Sequence, residues 1–139
     1  MGLNADNIFV NATDRNSLLG AVAFAFKGKK WKAAISTPID GWVQIIESHE
    51  NTPPDIAQKL SENLKCLVVC TQLYESAGEI AWYIFENGVE IEAVHKESPD
   101  DPSQEIKDVL LKMSVPFEIR LFREVISKKD GWAIEQSRS

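Results

Sequence analysis

The alternation of apolar and polar positions is sharpest over residues 79–95. There Glu-Ile-Ala-Trp-Tyr-Ile-Phe-Glu leads into Asn87-Gly88 and continues as Val-Glu-Ile-Glu-Ala-Val-His. Asn-Gly between two apolar runs predicts a hairpin, because a two-residue type I′ turn needs positive φ at both central residues. Carried outward from that turn, the register sets Glu86 opposite Val89, Ile84 opposite Ile91 and Trp82 opposite Ala93. Ile80, Trp82, Ile84, Val89, Ile91 and Ala93 then share one face, which reads as core. Tyr83, Phe85, Glu90 and Glu92 share the other. An aromatic and acidic face of this kind has no need of full burial, and these four residues are the candidate interaction surface.

The rest of the chain divides by the same patterns. Residues 7–11 read as a first strand. Thr13 and Asp14 offer helix caps before residues 18–26, where Leu18, Leu19, Val22 and Phe26 recur at helical spacing. The small–large alternation of 21–26 would also suit a strand, and helix is the preferred reading. Residues 31–36 and 42–48 read as strands, separated by a turn at 37–41. Thr52, Pro53 and Asp55 mark a helix start, and Ile56, Leu60 and Leu64 form its apolar stripe. The unbroken apolar run within 66–74 implies a central strand buried on both faces. Together with 42–48 and the intervening helix it makes a βαβ unit. Asp101, Pro102 and Gln104 open another helix, with Ile106, Val109, Leu110 and Met113 inward. Residues 117–128 read as a last helix and 132–135 as a short strand.

These elements predict a single α+β domain over residues 1–139. The expected architecture is a mixed sheet of about five or six strands with helices mainly on one face. Its strand–helix–strand–strand–helix–strand start resembles a ferredoxin-like arrangement, extended by the hairpin and the C-terminal helices.

Composition narrows the function. A net charge of −6 is spread unevenly, since residues 46–105 hold thirteen acidic and three basic groups. That stretch would repel nucleic-acid phosphates and suits a partner with a basic surface. In Lys29-Lys30-Trp31-Lys32 the lysines read as solvated charges that discourage edge pairing. No apolar run approaches the roughly 20 residues of a membrane helix, and the first residues lack the pattern of a secretory signal. Cys66 and Cys70 share one strand, about 13 Å apart, beyond disulfide reach. They read as core thiols of a reducing, cytoplasmic location.

Catalytic signatures are missing. The two histidines, His49 and His95, have no paired metal-ligand spacing, so no metal is expected. There is no nucleophile elbow, phosphate loop or dinucleotide fingerprint, so no cofactor is expected. The one polar grouping suggestive of acid–base work is Glu47 with His49, extended by Glu75 as an alternative pocket for a small-molecule sensor or enzyme.

Gly41-Trp42-Val43, Leu60-Ser61, the run from Cys66 to Cys70, Glu75-Ser76 and Tyr83-Ile84-Phe85 with Asn87-Gly88 resemble a family of bacterial proteins of unknown activity. The family's turn reads Asp-Ser-Asp, whereas this chain has Glu75-Ser76-Ala77, so a metal bound there would lack a carboxylate at residue 77. The resemblance implies no activity. Size, acidity and the lack of catalytic groups lead to the expectation of a non-catalytic, bacterial protein-binding module of the immunity or adaptor kind. Self-association through the aromatic face is a further possibility.

Overall fold

The computed structural model describes residues 4–48, 54–128 and 131–137. Along them run β1 (Asn4–Val10), α1 (Arg15–Ala25), β2 (Lys32–Ser36), β3 (Val43–Glu47), α2 (Pro54–Leu64) and β4 (Leu67–Tyr74). They are followed by β5 (Glu79–Glu86), β6 (Val89–Glu97), α3 (Pro102–Lys112), α4 (Phe122–Lys128) and β7 (Trp132–Gln136). The seven strands form one sheet in the order β6-β5-β4-β1-β3-β2-β7. Every pairing in it is antiparallel. The α+β class is as expected, but the sheet is larger than expected and is not mixed.

Strand interleaving explains the difference. β3 and β4 run in the same direction, as a βαβ unit requires, but β1 lies between them and pairs with both. Likewise β3 separates β1 from β2. Each crossover helix therefore joins strands that are one place apart, the split form of the βαβ motif. β1 also begins earlier than residue 7. Asn4, Ala5 and Asp6 have little strand propensity, but pairing with Tyr74, Leu73 and Gln72 holds them in the ladder.

Helices cover both faces, contrary to the expectation of one. Ile8, Val10, Val68, Cys70 and Phe85 pack against Leu18 and Val22 of α1 and Ile56 and Leu60 of α2. Phe9, Val69, Leu73, Ile80, Trp82 and Ile84, on the opposite side of the same strands, pack against Ile106, Val109 and Leu110 of α3. Ala34 and Ile46 continue that second face beneath Phe122 and Val125 of α4. A central strand with apolar residues in both alternating sets needs cover on both sides. Burial of Ile56 and Leu60 alone contributes on the order of 1.5–3 kcal/mol each.

The helix starts follow local chemistry where they are described. Asp101 accepts from the Gln104 N–H at 3.2 Å, and Pro102 occupies the first position of α3. The helical reading of residues 18–26 holds, with α1 set slightly earlier. Thr52 and Pro53 lie outside the described residues.

The last helix is shorter than the periodicity suggests. Residues 115–121 run without helix across the α3 side of the sheet, and α4 begins only at Phe122. The cause is a buried amide pair. Asn7 Oδ1 accepts from Gln44 Nε2 and from the Arg120 N–H, and Asn7 Nδ2 donates to the Arg120 carbonyl at 2.9 Å. Gln44 Nε2 also donates to the Glu118 carbonyl at 2.7 Å. Backbone groups that a helix would have satisfied internally are taken by the sheet's own side chains. Phe117 stacks on Phe9 beside them, with ring centroids 6.2 Å apart.

Replacement of Asn7 by Ala should therefore lower stability by at least about 2 kcal/mol, since it strands buried amide groups of Arg120 and Gln44. Urea denaturation checks this against Asn11→Ala, at an exposed position, as the reference. Equal stability of the two variants would show that the amide pair does not hold the segment.

Candidate functional site

The hairpin is built around its turn, and the turn is docked. Asn87 and Gly88 have φ of +52° and +82°, as a type I′ turn requires. The Gly88 N–H donates to Ser61 Oγ at 3.0 Å, and Gln58 Nε2 donates to the Gly88 carbonyl at 3.0 Å. A Cβ at residue 88 would lie 2.8 Å from Glu62 Cβ, so α2 closes on this glycine.

Two rungs out, the register departs from the one the turn implies. Glu86 pairs with Val89 and Phe85 with Glu90, but Ile84 then pairs with Glu92, Trp82 with Val94 and Ala81 with His95. Ile91 is left as the extra residue of a β-bulge. The shift carries Glu92 to the Trp82 side, where its Oε2 accepts from Trp82 Nε1 at 2.8 Å. An indole N–H seeks an acceptor when buried, and a regular ladder would have set Ala93 there instead.

The four residues of the candidate surface therefore separate. Phe85 is 2% exposed and belongs to the core beneath α1 and α2. Tyr83 sits half-buried at the rim of that core, between Cys70 and Ala93. Glu90 is exposed on the same side. Glu92 lies on the other side, held by Trp82 and 3.7 Å from Lys112 Nζ of α3. Lys96 also reaches that side, where it pairs with Glu105 and sits 5.7 Å from the Trp82 ring centroid. Glu92 and Lys96 thus tie β6 to α3.

Three residues read as core are on the surface. Val89 is 63% exposed and Ile91 55%. Their alternation with acids is that of a half-buried strand; what exposes them is the position of β6 at the sheet edge, which the local pattern does not carry. Ala93 is exposed as well.

The alternative pocket does not assemble from the residues described. Glu47 is buried at the end of β3 opposite Ala33, on the α1/α2 side. Glu75 lies exposed beyond Tyr74, with β1 between its strand and β3, and Ser103 Oγ of α3 approaches its Oε2 at 3.5 Å. His49 lies outside the described residues.

Burial raises the pKa of four further groups, Tyr74, Tyr83, Cys66 and Cys70. The Tyr74 hydroxyl donates to Oδ1 of the buried Asp6, and its pKa is raised by burial first and by that bond and charge second. Burial and the nearby Cys70 and Glu90 raise Tyr83 too. Burial pushes the Cys66 thiol up to about 11, and Cys70, fully enclosed, is raised further. Trp31 is buried and stacks on Phe26, with centroids 5.3 Å apart.

At the far end of the hairpin the shifted register makes a grouping that the regular one does not. Glu79 pairs directly with Glu97, and His95 Nε2 comes within 3.6 Å of Glu79 Oε2. The His-x-Glu spacing at 95–97 is visible in the sequence, but its meeting with Glu79 depends on the bulge.

No helix among the described residues is long and apolar enough to cross a membrane. Comparison of the chain with protein-family models, with curated proteins and with solved structures returned no match.

Two outcomes follow from the shifted groups. Burial keeps Cys66 in the thiol form at pH 8, so the folded protein should react with a thiol reagent far more slowly than the unfolded chain. Equal rates would contradict the burial. The raised Tyr74 pKa means that the folded state holds that proton more tightly than the unfolded chain. The associated stability is complete below the ordinary phenol value of 10.0 and is lost as the pH rises above it. Alkaline denaturation of Tyr74→Phe should be correspondingly flatter; an unchanged alkaline arm would assign the loss to other groups.

Proposed function

We propose that this chain is a non-catalytic, cytoplasmic protein-binding module of the immunity or adaptor kind, and that it meets its partner with the outer strand of the hairpin. The observation that carries this reading is the exposure of Val89 and Ile91 on either side of Glu90, on an edge strand. Large apolar side chains rimmed by acids are suited to a partner with an apolar contact inside a basic border. Glu86 and Glu62 are exposed nearby and supply the acidic rim. Tyr83 and Glu90 remain from the surface expected in the sequence, whereas Phe85 and Glu92 are engaged within the fold and are replaced by Val89 and Ile91.

The bulge and the charges of β6 discourage a strand from adding to this edge. The partner is therefore read as gripping side chains rather than extending the ladder. Two free thiols support a reducing compartment. A second copy of the chain is the other occupant compatible with this patch.

Glu90→Lys and the double variant Val89→Ser with Ile91→Ser should leave thermal stability nearly unchanged and abolish retention of a stoichiometric protein on the immobilised chain. Identical capture by all three proteins would remove the proposal. Light scattering over a range of concentrations distinguishes the occupants: a mass that rises with concentration in the wild type and not in the double variant assigns the patch to a second copy.

A further inference from the structure

We propose that Glu79, His95 and Glu97 form a site for a divalent cation that accepts imidazole nitrogen, zinc above all. One ligand atom from each residue lies within 4.8 Å of the other two. Tetrahedral zinc, with bonds of about 2.0–2.2 Å to nitrogen and oxygen, needs ligand atoms about 3.3 Å apart. The His95–Glu79 distance of 3.6 Å is already close to that. Glu79 is partly buried and His95 and Glu97 are exposed, so small rotations close the remaining gap and water can fill the open position.

The ladder holds the backbone of the three residues in place. Glu79 is paired on both sides, with Tyr74 of β4 and Glu97 of β6. The Ser98 N–H donates to the Gly78 carbonyl and closes the end of the ladder one step further out. All three ligands thus come from ladder positions, with His95 and Glu97 two residues apart on one strand face.

The charge arrangement is compatible with a cation. Like charges directly opposite in a ladder are destabilising, yet Glu79 faces Glu97. A regular hairpin would have set Lys96 opposite Glu79. The bulge instead sends Lys96 to the other face, where Glu105 holds it. Hard cations such as Mg2+ prefer oxygen ligands and keep their water, whereas a nitrogen donor with two carboxylates favours zinc. The site lies at the opposite end of the hairpin from Val89 and Ile91 and does not depend on the binding role proposed for them.

Calorimetric titration of the purified full chain with zinc chloride should give one saturable equivalent, undisturbed by an equal concentration of magnesium, together with a rise in melting temperature. His95→Ala and Glu97→Gln should each weaken zinc by at least about tenfold, the lower limit for losing a group that merely supports a ligand, and should abolish the melting shift. Glu118→Gln, an exposed acid elsewhere, should bind as the wild type does. Absence of saturable zinc binding, equal affinity in His95→Ala and Glu97→Gln, or displacement by magnesium would each overturn the site.

Discussion

A strand that is hydrogen-bonded along both edges and covered on both faces gives its side chains no path to water. β1 approaches that position, buried from Ala5 to Val10, paired with β4 along its length and with β3 over Ile8–Val10, and the rest of the molecule is arranged to satisfy it. Its apolar residues Ile8, Phe9 and Val10 are divided between the two layers. Its polar residues need partners inside the protein. Asp6 finds the Tyr74 hydroxyl, and Asn7 finds Gln44 and the backbone of Arg120. The second of these pairings decides where the C-terminal segment lies and therefore where α4 can begin.

The same demand organises the layers. Because β1 sits between β3 and β4, both crossover helices fall on one side, and the other side of the central strands is left apolar and uncovered by the first six elements. α3, the extended segment after it and α4 fill that side. The hairpin is bound to both layers: its turn is held by Ser61 and Gln58 of α2, and its outer strand is held by the contacts of Glu92 and Lys96 with α3. With Ile91 present, the ladder slips by one residue between these two attachments.

What the sequence made legible was local. Asn87-Gly88 specified the turn, Asp101-Pro102 specified the start of α3, and the spacing of Ile56 and Leu60 specified the buried stripe of α2, because each depends on residues within a few positions of one another. Three things were settled by distant partners instead. The polar start of β1 is a strand because β4 pairs with it. Residues 115–121 are not helix because Asn7 and Gln44 take their backbone groups. Glu92 changes face because Trp82 Nε1 needs an acceptor. The alternation read the face shared by Tyr83 and Glu90 but not that of Glu92, and the edge position that exposes Val89 and Ile91 leaves no mark in their neighbours.

Ile91 itself is surplus to the sheet. With Phe85 paired to Glu90 and Ile84 to Glu92, a chain lacking that one residue could keep every rung and would lose only the bend and the added twist. The core does not cover it either. Variation in length at this point is therefore neutral to the interior and is felt only in the sweep of the strand and in what the outer surface presents, which makes the position answerable to selection from outside the molecule alone.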